Sequence, residues 1–348
     1  MSSPVADQAL PQRPEAQNSG GYIPTCIFCS STGPFSLREY GARSLPEGVT
    51  WPSSHCFQGK SLAICENCGG GFVRESIRDE DISAFYSSIY DARHVEHASR
   101  PQELNELNAR FLSQSLYLKS FVDLRDGMRI LELGPNVVSA LPALSLFCRP
   151  QYYYFEQVDS EIISSYGGRR LGSYASGAEI VRRVGRGALD LVYGSHSLEH
   201  VNPASLNELI EGTAAAIAPG GHLFFEVPDD LSIDMLLVPH TVFFTEASIL
   251  HLLDRHGLEI INLARWGKSG GQEKSSKVLF DPEKSRARAS ARSPSDLRSI
   301  IRSVVLGIPF IEKAVRPWRL QRGLMRALRR LPTPYEPTPY FRVIARKL

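Results

Sequence analysis

No apolar run in this 348-residue chain approaches the ~20 residues needed to cross a bilayer; the longest, such as Val304–Ile311, is interrupted by Gly307 and Pro309. The first 20 residues carry a single Arg and no apolar stretch, so nothing there reads as a secretory signal. Cysteine is scarce, six in all, which is too sparse for a disulfide scaffold. Four of the six stand in pairs at short spacing, a pattern of metal binding in a reducing compartment, and the expected location is cytoplasmic. Charge of one sign is also missing: 39 Lys+Arg against 37 Asp+Glu leave a net of +2, unlike a histone-like binder. Apolar side chains are not scarce. At 43% they are enough for a core and exclude a wholly disordered chain.

The near-zero charge hides an asymmetry. Residues 268–348 hold 19 Lys+Arg against 6 Asp+Glu, a net of +13, while residues 1–267 hold 20 against 31, a net of −11. An acidic body is joined to a basic C-terminal part. Residues 1–21, rich in Ser, Pro, Gln, Ala and Gly, are expected to form a disordered tail. Residues 22–78 contain the paired cysteines in a loop-rich module. Residues 79–127 read as a helical linker: Asp79 or Asp81 can cap a helix through Tyr86, and Pro101 opens a helix whose leucines recur near the 3.6 period.

From residue 128 to 267 short apolar runs alternate with helical stretches. Arg129–Leu133, Tyr152–Phe155, Leu189–Tyr193, His222–Val227 and Leu258–Leu263 are predicted to be buried strands. Pro203–Ile217 and Glu246–His256 are predicted helices, the second with Thr245 as N-cap and Gly257 as C-cap. This alternation implies an α/β fold with a doubly wound parallel sheet covered on both faces. Residues 268–338 form a basic insertion, and residues 339–348 supply a last strand.

Cys26-x2-Cys29 and Cys65-x2-Cys68 are two knuckles 35 residues apart. Each lets two thiolates reach one ion from a tight turn. Four thiolates give Zn²⁺ a closed tetrahedral shell, a structural site with no open position for chemistry. His55 and Cys56, between the knuckles, are read as loop, and Cys148 as a small buried hydrophobe.

Ile130-Leu131-Glu132-Leu133-Gly134-Pro135-Asn136 puts an acid at a strand end and a glycine at the turn. In a nucleotide-type fold a ligand approaches the strand C-termini at the switch point, where glycine permits close backbone approach. The Glu132 carboxylate can accept from a ligand amine or from the loop. Glu156, closing the next strand, suits two ribose hydroxyls.

Three later segments complete the pattern: Leu189-Asp190-Leu191-Val192 with Ser195-His196-Ser197-Leu198-Glu199-His200, then Ala218-Pro219-Gly220-Gly221, then Phe243-Phe244-Thr245 with Gly257-Leu258. In this order they resemble a class I S-adenosylmethionine-dependent methyltransferase with a seven-stranded Rossmann-like sheet. With the cysteine knuckles, the chain is similar to the subgroup with an N-terminal zinc module, which includes sugar C-methyltransferases. The resemblance implies that Glu132, Gly134 and Asn136 contact the methionine part of S-adenosylmethionine. It implies that Glu156 holds the ribose and that Ser195 and His196 border cofactor and substrate. It also implies that the last strand lies antiparallel between the fifth and sixth. The family usually carries more glycines in the first turn, where Asn136 and Val138 stand here. A non-catalytic relative that keeps the fold as a binding scaffold is therefore the alternative reading, and a nucleic-acid-directed enzyme a further one.

Methyl transfer to a poor nucleophile needs a general base, and histidine titrates in the right range. His196, nearest the strand end, ranks first and His240 second; Glu199 and His200 are read as structural. The expected substrate is a small molecule, with sugar or nucleotide-sugar leading. In the basic segment, Arg319, Arg322, Arg326, Arg329 and Arg330 fall near one helical face and Trp318, Leu324 and Leu328 near another. Docking on its own protein ranks first for this segment. An anionic membrane surface or an anionic substrate ranks second, and nucleic acid third.

Overall fold

A computed structural model describes residues 23–40, 54–85, 101–135, 139–155, 167–172, 175–232, 238–266 and 340–348. The expected tail at 1–21, the basic insertion at 268–338, and the residues Tyr86, Asn136, Val138 and Glu156 lie outside the described residues. In chain order the elements are β1 (Phe35–Tyr40), β2 (Lys60–Cys65), β3 (Gly71–Val73), α1 (Asp79–Phe85), α2 (Pro101–Lys119), β4 (Arg129–Leu133), α3 (Leu141–Leu144), β5 (Gln151–Phe155), β6 (Arg169–Gly172), α4 (Gly177–Val184), β7 (Leu189–Ser195), α5 (Leu206–Ala216), β8 (Ile217–Pro228), β9 (Val242–Phe243), α6 (Glu246–Arg255), β10 (Leu258–Trp266) and β11 (Tyr340–Lys347).

Seven strands form one sheet in the order β10-β11-β8-β7-β4-β5-β6. The pairs β4–β5, β4–β7, β5–β6 and β7–β8 are parallel, and β11 runs antiparallel to both β8 and β10. This is the Rossmann-like, seven-stranded methyltransferase type of doubly wound sheet. Chain order reverses between β4 and β7, which makes their C-terminal ends the switch point where such sheets bind ligands.

The central strands read as continuous apolar runs because both faces are covered. Leu131 and Leu133 of β4 face Ile180 of α4, Leu209 of α5 and Leu252 of α6 in one core cluster. Ile130, one residue out of phase, joins Tyr152, Leu191, Phe224 and Ile344 under Phe111 and Leu118 of α2. Helices α4 and α5 touch backbone to backbone: a Cβ on Gly177 would lie 1.9 Å from the Glu208 carbonyl oxygen. Helix α6 starts at a reciprocal cap, with Ser248 N–H donating to Thr245 Oγ1 at 3.1 Å and Thr245 N–H to Ser248 Oγ at 2.8 Å. No helix among the described residues is long and apolar enough to cross a membrane.

The cysteine pairs sit in a second, four-stranded antiparallel sheet, β1-β2-β3-β9. Its fourth strand, β9, comes from the segment between β8 and α6, so the two sheets share a stretch of chain. Further bonds tie the knuckles to the larger domain. Thr245 Oγ1 donates to the Cys68 carbonyl at 2.7 Å, and Asn207 Nδ2 to the Ile27 carbonyl at 2.9 Å.

Candidate functional site

The first knuckle closes by Ser30 N–H on the Cys26 carbonyl at 3.0 Å, the second by Gly69 N–H on the Cys65 carbonyl at 2.7 Å. Gly69 takes φ +71°, and a Cβ on Gly70 would sit 2.6 Å from the Phe28 ring, so the second turn needs glycine at both positions. Cys26 and Cys68 Sγ are 3.6 Å apart and Cys29 and Cys65 Sγ 3.7 Å; all four sulfurs lie within 4.8 Å of one another. Zn–S bonds of about 2.3 Å in a tetrahedron place sulfurs roughly 3.8 Å apart, so the cluster is compatible with one Zn²⁺. The hydrogen bond from Cys68 pulls the Cys26 thiol down to about 5, against the effect of burial.

At the switch point lies a cavity of about 660 Å³, within the usual range for small-molecule and cofactor sites. Leu133 and Gly134 after β4, Phe155 at the end of β5 and Ser197–Leu198 after β7 form its floor. Asp79, Glu80 and Ile82 of α1 form part of the opposite wall. Asn202 fixes that helix, its Nδ2 donating to the Ile77 carbonyl at 2.8 Å and to Asp79 Oδ1 at 2.6 Å. Gly134 has φ +64°, its N–H donates to the Phe155 carbonyl at 2.9 Å, and a Cβ there would lie 2.9 Å from Ser197 Cβ. Gly134 thus leaves bare backbone beside the cavity, where a side chain would collide with Ser197.

Glu132 is 1% exposed and turned toward the loop. Its carboxylate accepts from Ser139 Oγ at 2.5 Å, from the Tyr152 hydroxyl and from Ala140 N–H at 3.1 Å. Burial pushes its pKa up to about 7, with these three bonds opposing. Ser195, at the end of β7, accepts from Gln114 Nε2 at 2.9 Å, and the Gln114 carbonyl accepts from the Tyr193 hydroxyl. Asn136 and Glu156 fall outside the described residues.

Beyond the β7 end the structure gathers histidines and carboxylates. His196 holds φ +53°, uncommon for a residue with a side chain, and its N–H donates to the Glu226 carbonyl at 2.9 Å. Its Nδ1 lies 3.2 Å from Glu199 Oε1 and its Nε2 3.2 Å from Glu226 Oε1. Burial and nearby Arg110 press its pKa down, but the bonds to both carboxylates outweigh them and the net shift is upward. Glu199 and Glu226 would be raised by burial. His196 with the nearby histidines, and Arg342 with His196, respectively bring each down to about 2.

Glu226 and Arg342 are cross-strand partners in β8 and β11, fully buried and ion-paired, and Arg342 also reaches Ser113 Oγ at 3.2 Å. His240 uses Nδ1 on Asp230 Oδ2 at 2.6 Å, and its ring meets the His200 ring at 4.8 Å. Burial lowers the His240 pKa, but Asp230 and Glu199 raise it more. Glu199, His200 and His240 each turn one polar atom toward a common point, all within 4.8 Å. His200 also lines the cavity, which joins the cluster to the cleft.

Both histidines singled out from sequence thus lie in this cluster, together with Glu199 and His200, which were read as structural. Glu226, Asp230 and Arg342 were missed. The available signal was a charged residue inside each of two apolar runs, Phe224-Phe225-Glu226-Val227 and Phe341-Arg342-Val343-Ile344.

Residues 100–263 match the model of a methyltransferase domain family. A curated C-methyltransferase, NovU from Streptomyces niveus, is 25% identical over 171 residues, covering 43% of this chain and 37% of that protein. The match thus spans little more than a third of that relative's length. Among solved structures, a Burkholderia thailandensis 1,6-didemethyltoxoflavin-N1-methyltransferase is similar at TM-score 0.44 and 12% identity, over 83% of this chain and 96% of that one. A SAM-dependent methyltransferase from Archaeoglobus fulgidus is similar at TM-score 0.40 and 16% identity, over 67% and 92%.

Proposed function

We propose, from the match of residues 100–263 to a methyltransferase domain family, that the protein uses S-adenosylmethionine to methylate a small-molecule acceptor, a sugar or nucleotide-sugar, with His240 as general base. The observation that carries this reading is the contact between cleft and cluster: His200 lines the cavity and its ring meets that of His240 at 4.8 Å.

S-adenosylmethionine, when bound, supplies an electrophilic methyl group on a sulfonium. In this reading Gly134 gives it backbone access, Glu132 holds the shape of the loop, and Asn136, Glu156 and Ser195 are further contacts. Zn²⁺ on Cys26, Cys29, Cys65 and Cys68 is structural. In its neutral form His240 keeps its proton on Nδ1, where Asp230 accepts it, so Nε2 presents a lone pair. His196 has a carboxylate oxygen 3.2 Å from each ring nitrogen, an arrangement that favours the imidazolium. In that form it has no lone pair with which to take a proton. The base therefore moves from His196, favoured by its position at the strand end, to His240. His196 becomes a fixed cation beside the acceptor.

The test is calorimetry with S-adenosylhomocysteine, followed by transfer of labelled methyl to a panel of nucleotide-sugars. Binding and transfer by the native protein are expected. His240→Gln should leave binding intact and cut kcat about 10²- to 10⁴-fold. Absence of heat at high ligand concentration would remove the catalytic reading. Unchanged kcat in His240→Gln would remove the base assignment.

A further inference from the structure

We infer that the cysteine module positions His240, through Tyr40 and β3. This rests on the reading of His240 as the base. The observation is topological first. Strand β9 does not join the large sheet; it pairs with β3, with Phe72 opposite Val242 and Gly71 opposite Phe243. Val73 N–H then donates to the Thr241 carbonyl at 2.9 Å. The next residue back is His240, and its carbonyl accepts from the Tyr40 hydroxyl at 2.6 Å, across 200 residues of sequence.

Tyr40 is built for this one bond. It is fully buried, its ring lies edge-on to Phe243 at 6.1 Å, and burial pushes its pKa far above the ordinary value. It therefore remains a donor at every working pH. The large domain holds the same segment from the other side. Thr241 N–H donates to the Glu199 carbonyl at 2.8 Å and Thr241 Oγ1 to the Val201 carbonyl at 2.7 Å. Past β9, Thr245 Oγ1 bonds the Cys68 carbonyl, next to the sulfur cluster. Backbone 240–245 is thus strung between module and domain, and the imidazole can reach Asp230 because its own carbonyl is fixed.

Three titratable groups face His240: Asp230 beyond β8, and Glu199 and His200 from the turn after β7; Tyr40 faces its backbone. Without the Tyr40 hydroxyl the His240 carbonyl loses its donor, and the backbone at His240 loses the restraint on its module side. The ring then withdraws from Asp230, and the partner that raises its titration point weakens.

The experiment is histidine carbon–proton NMR on the full zinc-loaded chain, with the His240 signal identified by its loss in His240→Gln. Tyr40→Phe should move the His240 titration downward by about 0.5–1 unit while S-adenosylhomocysteine affinity stays within about twofold. Where an acceptor is in hand, kcat should fall with KM held. A second variant, Gly71→Ala, crowds Phe243 Cβ and Leu62 Cδ1 at 3.2 Å each and should shift His240 in the same direction. Chelating the metal should do likewise. An unshifted His240 in a folded Tyr40→Phe protein overturns the inference; if that variant does not fold, an unshifted His240 in Gly71→Ala does so. Failure of the base assignment reads differently: His240→Gln keeps its kcat while the Tyr40-dependent shift persists.

Discussion

Gly134→Ala is the sharpest perturbation of the proposed cofactor cradle. Two separate penalties meet at that position. The backbone is left-handed, φ +64°, which costs a residue with a Cβ about 1–2 kcal/mol. The added Cβ would also lie 2.9 Å from Ser197 Cβ, and relief of such overpacking costs about 1–3 kcal/mol. The atom that must yield is not the end of a flexible chain. It is the root of a side chain in the turn that forms the cavity floor and leads out of β7. Strain therefore lands on cleft geometry as well as on stability. Since about 1.4 kcal/mol is tenfold in affinity, S-adenosylhomocysteine should bind at least about tenfold more weakly.

Ser197→Gly separates the two penalties, because it deletes the atom that is struck. In the double variant the steric part should vanish and the backbone part remain. The coupling between the two sites should be about 1–3 kcal/mol in the favourable direction. Calorimetry gives the affinities and urea unfolding the stabilities of the four proteins. Strict additivity would refute the clash argument. Native affinity and stability in Gly134→Ala would refute the cradle.

Three further outcomes follow from buried groups. Arg342→Leu strands the Glu226 carboxylate, and urea unfolding should show a loss of about 3–5 kcal/mol, part of which Glu226→Met in the same chain restores. Glu132 holds its proton up to about pH 7 when folded but only to its ordinary 4.5 when unfolded, so folding loses stability as pH rises between those values. Over that interval Glu132→Gln should gain about 3 kcal/mol relative to the native protein; parallel stability–pH curves would contradict the burial argument. Gly177→Ala drives a methyl into the Glu208 carbonyl oxygen at 1.9 Å and should cost more than about 3 kcal/mol in thermal or urea unfolding, since neither helix backbone can yield cheaply.

How far the sequence could be read depended on where each signal resides. Arg129–Leu133 is identical in expectation and structure because a strand covered on both faces must be apolar throughout. Strand β6, Arg169-Arg170-Leu171-Gly172, escaped notice because it is an exposed edge with no such run. Ile217 to Gly221 read as helix end and turn, yet Ile217 already pairs with Leu189 and begins β8. The cause is tertiary: at Gly221 a Cβ would meet Ile217 Cγ2 at 2.8 Å and the Leu189 carbonyl at 3.0 Å. The four cysteines were legible because metal ligation fixes their local spacing. Asp230 and Arg342 were not, because their partners are brought to them by loop and sheet pairing.

The same pairing explains how so many charges are buried at one site. Arg342 neutralises Glu226, Glu226 and Glu199 together hold His196, and Asp230 holds His240. A buried charge persists only when paired, so each link sets the protonation of the next. His196 has a carboxylate oxygen 3.2 Å from each ring nitrogen, which favours a proton on both, whereas His240 has a carboxylate in hydrogen-bond reach of Nδ1. In the proposed mechanism that difference separates the cation from the base within one cluster. It depends on β11, since without Arg342 the Glu226 carboxylate would draw on His196 alone. It also involves the cysteine module, whose Tyr40 hydroxyl donates to the His240 carbonyl. Strand β11, through Arg342 and Glu226, and strand β1, through Tyr40, thus reach neighbouring histidines from opposite ends of the described chain.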